Sequence, residues 1–480
     1  MPRGNIFCSL NLACSSRLRR GGRLQRARLT SAAHRTRYDR VELSRFTSTT
    51  STAWVFRATA WLTVAWLLGW PVVALLAGAA VATQAVALLV YALHSRARAR
   101  AAKAVLAVAL SAELLLFVEA FWPTRVGLVV PVGVGVFVCH AVSYLIDVHR
   151  RQANPHQHAA ALLYLLQLPV FPAGPLSRFH EFSQQLERTD VSMGGFSYGV
   201  RRIVTGLIKV YLIAGTLGAY ADRIFGLRVT LLSIDVAWLG ALCGALEVYF
   251  YLSGISDVGI GLGKILGFRY QENFRRPYTA DSLREFWRRW NITLFAWLRD
   301  YVPLPTSWHT RPTVGVYLMT VAGFVLVGAW HRATLHVLPW ALYSGTWLAI
   351  ERLGLGAVTQ RMPRVVRHAY VLLVVLFGWM ILRASGPGPL LGYAEAMLGF
   401  SLVKFGGSGV YMTWDLVTAL GCALVFAGPM VGSISRWRVS VDAATASLLM
   451  MMGATGVFLW QSLNPIRRVV FPNREANRPR

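Results

Sequence analysis

The chain has 480 residues, of which 55% are hydrophobic and 15% are charged, and its formal net charge is +28. A helix needs roughly 20 apolar residues to cross a bilayer, and apolar runs of about this length recur along the chain. This excludes an ordinary soluble enzyme. Because Arg in short loops fixes the orientation of a membrane protein, the positive charge does not indicate nucleic-acid binding. The five cysteines form no C-x-x-C pair, so no disulfide framework or zinc site is expected.

The first segment, residues 1–50, is rich in Arg and Ser and poor in acidic residues. Its composition is compatible with a disordered basic arm, an organelle transit peptide, or a stretch upstream of the true start. The apolar part begins near Trp54, which is too late for a standard signal peptide. We expect a disordered basic extension without a catalytic role, and a second basic tail at residues 471–480.

The region between these ends, residues 51–470, is dominated by apolar runs. Backbone groups in lipid must form hydrogen bonds within their own segment, so these runs are expected to be helices. We predict an all-α polytopic membrane protein with roughly ten to twelve transmembrane helices. Four helices are expected between Trp54 and Leu145. Later ones are predicted near residues 203–222, 232–252, 314–329, 333–350, 366–383, 411–431 and 443–461.

One apolar stretch, Leu162 to Phe182, is interrupted by three prolines and a glycine and is too short to span the membrane cleanly. Irregular backbone at membrane depth is tolerated only where protein shields it. This stretch is therefore predicted to be a re-entrant segment inside the bundle.

The most distinctive stretch runs from Asp281 to Pro305, "DSLREFWRRWNITLFAWLRDYVPLP". Ser282 and Glu285 have the spacing of a capping box, which predicts a helix start. Apolar and aromatic residues follow at three- and four-residue intervals, and Asn291 falls at the edge of their stripe. The pattern predicts one amphipathic helix. From periodicity alone, an interfacial helix anchored by Trp and Arg and a helix that carries a site both remain open.

A second polar point is His331, which lies in an apolar run and is followed by Arg332. A lone intramembrane His often makes a helix-to-helix hydrogen bond. Ionisable groups inside membranes nevertheless tend to mark pathways or sites, and a His with a pKa of about 6.5 accepts a proton readily at neutral pH. We therefore favour a functional role for His331.

An ordered series of motifs carries a family resemblance. It begins with "AVSYLIDVHR", "FPAGPLSRFHEF" and "GLIKVYLIA", continues with "YFYLSGISDVGIGLGKILGFRYQENFRRPYTADSLREFWRRWNITLFAWLRDYVPLP", and ends with "GAWHRAT". The series, over roughly residues 130–350, resembles the membrane-bound O-acyltransferase (MBOAT) family. Its bacterial branch, which acts in alginate O-acetylation and teichoic acid D-alanylation, is the most similar.

The resemblance implies an MBOAT fold and an acyltransferase that uses a thioester donor as co-substrate, with no bound cofactor or metal. The family's catalytic His matches His331, and its second polar residue matches Asn291. The sequence differs from the bacterial branch at Asn291, where His is usual, and at Arg332, where Gly is frequent. Expected substrate-binding residues are Trp287, Trp290, Arg288, Arg289, Arg299, Asp300 and Trp330.

The leading hypothesis is transfer of an acyl group, with acetyl favoured, to a hydroxyl of an exported polysaccharide or cell-envelope compound. Acylation of a lipid or protein, a transporter or flippase, and an inactive scaffold remain alternatives. The expected partners are the lipid bilayer, the acyl donor and the hydroxyl acceptor, with an extracytoplasmic acyltransferase partner left open. The expected location is the bacterial inner membrane, with multiple spans.

Overall fold

The computed structural model describes residues 70–94, 98–121, 134–167, 170, 174–187, 191–302, 314–331, 337–384, 387–401, 403 and 407–427. Within these ranges the regular structure is helical, without a β-strand. The basic extension at 1–50, the span predicted at 443–461 and the tail at 471–480 lie outside the described residues, and the domain division stays a prediction.

Sixteen α-helices occur within the described ranges. They are α1 (Trp70–Ala92), α2 (Ala99–Phe121), α3 (Val134–His149), α4 (His158–Leu165), α5 (Phe179–Glu187), α6 (Met193–Leu207), α7 (Gly215–Phe225), α8 (Ile234–Ile265), α9 (Leu283–Arg289), α10 (Ile292–Tyr301), α11 (Val314–His331), α12 (Val337–Ile350), α13 (Gly356–Gln360), α14 (Arg364–Arg383), α15 (Pro387–Met397) and α16 (Trp414–Ala427). Two π-helical segments, Ile208–Ala214 and Glu351–Leu355, continue α6 and α12.

Four helical segments in the described part of the chain are long and apolar enough to cross a membrane. They are Ala74–Ala92, Gly194–Phe225, Ile234–Ile265 and Arg364–Arg383. Three shorter apolar helices occur at Gly135–His149, Tyr317–Gly328 and Trp414–Ala427. The all-α membrane architecture is therefore confirmed, whereas the total of ten to twelve spans stays a prediction because other apolar segments are outside the described residues.

Helices α6 and α8 pack closely through glycines. A Cβ atom added at Gly206 would lie 2.5 Å from the carbonyl oxygen of Gly254, and one added at Gly199 would lie 2.6 Å from that of Gly261. Each helix therefore presents two glycines seven residues apart, on one face. Small residues at such positions let two membrane helices approach closely, where the hydrophobic effect does not drive association.

The same helices are joined by ion pairs to the buried carboxylate of Asp257, which lies between Gly254 and Gly261 on α8. Arg202 Nε donates to Asp257 Oδ1 over 2.9 Å, and Lys209 Nζ donates to Asp257 Oδ2 over 2.7 Å. Arg202 also pairs with Glu272, in the segment after α8. Because each cation has a carboxylate partner, burying these groups is compensated, and the α6–α8 pair has a defined register.

The segment predicted to be broken is interrupted in the structure. Helix α4 ends at Leu165 and α5 begins at Phe179, and residues 174–178 between them are not helical. Leu176 and Ser177 are nevertheless buried. Irregular backbone is thus enclosed by protein here, as its high Pro and Gly content indicated.

Candidate functional site around Asn291

The predicted amphipathic helix is two helices. Helix α9 ends at Arg289, Trp290 has an extended backbone, and α10 begins after Asn291. Asn291 has φ 43° and ψ 53°, which is the left-handed region that Asn tolerates better than most residues. The expectation of one continuous helix is therefore wrong. Six of the eight positions of the predicted stripe are still buried: Leu283, Phe286, Trp287, Trp290, Leu294 and Leu298. The other two, Trp297 and Tyr301, are half-buried.

The start of α9 agrees with the capping-box prediction. Ser282 Oγ accepts a hydrogen bond from the backbone N–H of Glu285 over 3.1 Å. The Glu285 carboxylate reaches back to the N–H of Asp281 at 3.4 Å, one residue earlier than in the standard motif. The same carboxylate pairs with Arg289. The motif thus fixes the helix start and a side chain one turn later.

The helix break is held by a buried polar residue from the preceding segment, Asn273. Its backbone carbonyl accepts from the N–H of Ile292 over 2.8 Å. Its side-chain Oδ1 accepts from the N–H of Thr293 over 3.1 Å and from Thr293 Oγ1 over 2.9 Å. These bonds satisfy the first two amides of α10, which otherwise have no intrahelical partner. Sequence reasoning did not identify Asn273 or Thr293.

The other amides of the first turn of α10 are also engaged. The carbonyl of Asn291 accepts from the N–H groups of Leu294 and Phe295, each over 3.1 Å. The backbone donors at this helix start are therefore used within the protein. The side chain of Asn291, which ends in an amide, belongs to a residue that is 5% exposed.

One face of α10 is fixed to α3 and to residues 174–178. The N–H of Leu176 donates to Thr293 Oγ1 over 3.0 Å, and Trp297 Nε1 donates to the carbonyl of Cys139 over 3.1 Å. Tyr301 OH donates to Asp147 Oδ2 over 2.8 Å. Burial and the Asp147 carboxylate raise the pKa of Tyr301, so its phenol keeps the donated proton. The spacing of four residues puts these three anchors on one face.

The opposite side of the break packs against aromatic rings. The ring of Trp287 lies 4.8 Å from that of Phe324 on α11, and Phe295 lies 6.1 Å from Phe324. Trp290 packs 4.8 Å from Trp379 on α14. Asn291 lies midway in sequence between Trp287 and Phe295, so the rings on both sides of it contact α11.

A small cavity adjoins this aromatic cluster. Trp287 lines it together with Trp340 and Ser344 of α12 and Trp379 of α14. Trp347 also lines it, so four indole rings surround the cavity, and Tyr343 and Ser344 are its hydroxyl-bearing residues. The predicted substrate-binding residue Trp287 thus borders this small cavity, whereas Trp290 is 1% exposed and enclosed by its neighbours.

The predicted catalytic His331 is the last residue of α11. It follows Phe324 by seven residues, which places the position on the same helix face about 10.5 Å further along the axis. Val327, four residues before it, is also buried on this face. The side chains of Trp330 and His331 are outside the described residues, so their roles stay predictions. The structure does show that the α11 face leading to position 331 packs on the rings beside Asn291.

The predicted Arg and Asp residues fall into two groups. Arg289 is bound within the protein, to Glu285 and to Thr279 Oγ1 at 2.6 Å. Asp300 pairs with Arg178 and also lies 3.4 Å from Arg299 Nε. Arg288 and Arg299 are exposed. The two exposed cations are therefore accessible to an anionic group, whereas Arg289 and Asp300 hold parts of the fold.

Known proteins resemble this chain over the same region. A probable alginate O-acetylase of Pseudomonas fluorescens is 37% identical over 259 residues, which are 53% of this chain and 51% of that protein. A probable alginate O-acetylase of Azotobacter vinelandii is 32% identical over 328 residues, 66% and 65% of the two chains. A peptidoglycan O-acetyltransferase of Helicobacter pylori is 26% identical over 313 residues, 58% of each. The chain spans less than two thirds of these relatives.

The profile of one family matches residues 116–386, which is more than half of the chain. The matched region contains the irregular segment 174–178, the break at Asn291 and the whole of α11. The family is described as MBOAT, the membrane-bound O-acyltransferases. The resemblance inferred from the motifs is confirmed, and this chain belongs to the membrane-bound O-acyltransferase family.

Proposed function

We propose that the protein is a membrane-bound acyltransferase that moves an acyl group, with acetyl favoured, from a thioester donor to a hydroxyl group. The observation that carries the proposal is the family match over residues 116–386, which includes the polar helix break and the helix that ends at His331. The relatives reported above are named for O-acetylation of alginate and peptidoglycan. We therefore propose an exported polysaccharide or another cell-envelope compound as acceptor.

In the proposed reaction the acceptor oxygen attacks the thioester carbonyl, forming a C–O bond as the C–S bond breaks. Neutral His331 takes the hydroxyl proton during attack and returns it to the departing thiolate. Assistance of this kind contributes typically about 10²–10⁴-fold. Protons and charge balance without a metal ion or an oxidant. The remainder of the rate enhancement comes from holding the donor and acceptor together.

Asn291 is the proposed donor to the negatively charged oxygen that forms on the carbonyl carbon. Its side-chain amide carries two N–H donors and does not act as a base near neutral pH. The backbone amides of the same turn are bonded to Asn273 and Asn291, so they do not compete for this role. A donor fixed in position before the reaction stabilises the transition state more than a mobile one does.

The lipid bilayer, the donor and the hydroxyl acceptor are the proposed partners. The apolar helices support a membrane location. A multi-pass arrangement in the bacterial inner membrane is part of the proposal.

The test uses purified full-length protein, radiolabelled acetyl-coenzyme A, and alginate oligosaccharides or peptidoglycan fragments as acceptors. We expect label to appear in an acceptor ester, and His331→Ala to abolish it. His180→Ala, at an exposed position on α5, is the matched control and should retain activity. Full transfer by His331→Ala would refute the proposed base. Flux across vesicles without cleavage of the thioester would instead favour the transporter alternative.

A further inference from the structure

A buried carboxylate from a distant part of the chain holds the start of α9. Glu351, directly after α12, is 6% exposed. Its Oε2 accepts from the backbone N–H of Leu283 over 2.7 Å, and its Oε1 accepts from the N–H of Arg284 over 3.0 Å. Both carboxylate oxygens are thus used on the first two amides of the helix. Bonds of this type, from N–H to a charged oxygen, are stronger than those between neutral groups.

The location of Glu351 joins the two parts of the proposed site. It directly follows α12, the helix after α11, and the ring of Trp340 on α12 lies 5.7 Å from that of Phe324 and 6.0 Å from that of Trp287. Helix α9, which it holds, ends next to Asn291. Two kinds of contact therefore connect the α11–α12 pair with the helices around the break. One is the packing of aromatic rings, and the other is the pair of hydrogen bonds from α9 to Glu351.

The loop before α9 is fixed in the same region by α14. Arg367 pairs with Asp281 over 2.9 Å, and His368 Nδ1 lies 2.9 Å from the carbonyl of Ala280. The backbone just before α9 is therefore tethered from a second side. Glu351 restrains α9 along the helix axis from its first turn, because its two bonds run to the amides at the helix start. The other end of α9 is held by the bond from the Arg275 N–H to the Arg289 carbonyl.

We propose that Glu351 is a positioning residue, which sets the place of α9 and thereby the place of Asn291 relative to α11. This inference rests on the acyl-transfer function proposed above. Glu351 does not touch the reacting atoms in this account. Its effect is transmitted through seven residues of helix, whose rigidity carries a displacement at the start of α9 to the break.

The side-chain chemistry makes the role specific to Glu. Gln has one acceptor oxygen, which can serve one of the two backbone N–H groups. Its NH₂ group would face the other, and because both are donors that backbone N–H loses its hydrogen bond. Asp is one methylene shorter and does not reach both amides without movement of the backbone. Burial raises the pKa of the Glu351 carboxyl, and the two N–H donors oppose that rise by stabilising the carboxylate.

The kinetic test compares Glu351→Gln with the wild type in the acetyl-coenzyme A assay. We expect kcat to fall about 10- to 100-fold with KM for the thioester within about twofold, because a misplacement of about 1 Å costs up to about 100-fold in rate. The matched control is Asp222→Asn, which removes a carboxylate from an ion pair with Arg383, the last residue of α14, and should leave kcat unchanged.

A double-mutant cycle distinguishes positioning from general destabilisation. If Glu351 acts through Asn291, adding Glu351→Gln to Asn291→Gly should lower kcat less than twofold further. Multiplicative losses in the double variant would overturn the inference. Absence of acyl transfer by the wild-type protein would count against the proposed function. The role of Glu351 is then tested by a second measurement that needs no substrate.

That measurement is hydrogen–deuterium exchange of the full-length protein. Glu351→Gln should speed exchange in peptides covering residues 281–291, and leave the peptide of α8, residues 234–265, unchanged. Unchanged exchange at 281–291 would overturn the inference even if activity fell. Faster exchange there in a folded variant would support it even without a known substrate.

Discussion

The backbone N–H of Leu176 donates to Thr293 Oγ1 over 3.0 Å, joining the irregular segment 174–178 to the first turn of α10. The same hydroxyl donates to Asn273 Oδ1. One Thr side chain thus connects three segments that are far apart in the sequence. Because Thr293 is two residues from Asn291, this connection determines how firmly the proposed site is held.

Thr293→Val should lower stability by about 1–3 kcal/mol, because it leaves the buried Leu176 N–H without its acceptor. The measurement is the midpoint of thermal unfolding in detergent. Thr293→Ser keeps the hydroxyl and is the control, which should lie close to the wild type. An equal midpoint for the Val and Ser variants would show that the connection is not needed.

Asn291→Gly should lower kcat by about 100–1,000-fold, the cost of losing one donor to the developing oxyanion. Gly adopts a positive φ without strain, so the break should survive and the unfolding midpoint should change little. Asn291→Ala should lose the same activity and also stability, because a Cβ-bearing residue without a polar side chain disfavours this conformation. A Gly variant with wild-type kcat would remove Asn291 from the site.

Asn291→His is a separate prediction that follows from the resemblance to the bacterial branch. His tolerates the left-handed region, so the helix break should form. We expect transfer above the level of Asn291→Gly, because the imidazole restores an N–H donor. The comparison is made with the same thioester and acceptor, and equal rates for the two variants would contradict the donor role.

Arg288 and Arg289 should behave differently although they are adjacent. Arg288→Ala should raise KM for acetyl-coenzyme A and leave the unfolding midpoint unchanged, since the side chain is exposed. Arg289→Ala should lower the midpoint, because its guanidinium is bonded to Glu285 and Thr279. Competition by free coenzyme A measures the first effect, and thermal unfolding measures the second. Identical behaviour of the two variants would contradict this division.

The Arg178–Asp300 pair predicts a structural role for Asp300. In a double-mutant cycle with Arg178→Ala and Asp300→Ala, the two stability losses should be coupled by about 0.5–3 kcal/mol. Kinetic losses should follow the fraction of folded protein. A drop in kcat for Asp300→Asn at an unchanged unfolding midpoint would instead assign Asp300 a direct role at the site.

The glycine contacts between α6 and α8 give a prediction about stability alone. Gly206→Ala places a Cβ 2.5 Å from the Gly254 carbonyl oxygen and should cost about 1–3 kcal/mol. Gly421→Ala on α16 is the matched control, because nothing lies within 4 Å of the added atom. The control should be neutral, or stabilising by up to about 1 kcal/mol. Equal unfolding midpoints for the Gly206→Ala and Gly421→Ala variants would show that the close contact between α6 and α8 does not contribute to stability.

The apolar character of the helices and the start of α9 were predictable from local sequence. Apolar runs identify helices in lipid because the backbone has no other way to satisfy its polar groups. Ser282 and Glu285 identify a helix start because their bonds lie within one turn. The irregular segment was also predictable, from the prolines between Leu162 and Phe182.

The break at Asn291 was not predictable, because the three- and four-residue spacing of apolar residues continues through it. The left-handed conformation is held by bonds from Asn273, eighteen residues earlier, and periodicity contains no information about such a partner. Glu351 was missed for the same reason: its partners, Leu283 and Arg284, are 68 and 67 residues away. The polar groups that hold the site are thus visible only after tertiary structure forms.

The glycine pairs of α6 and α8 also bear on how the chain is assembled during synthesis. These helices are joined through α7 within a single stretch, residues 193–265, and the glycine contacts between them lie within it. Once this stretch has entered the bilayer, the close packing at the glycines favours association of α6 with α8. Helix α14, which packs on α8, comes later in the chain and would add to a pair that is already formed.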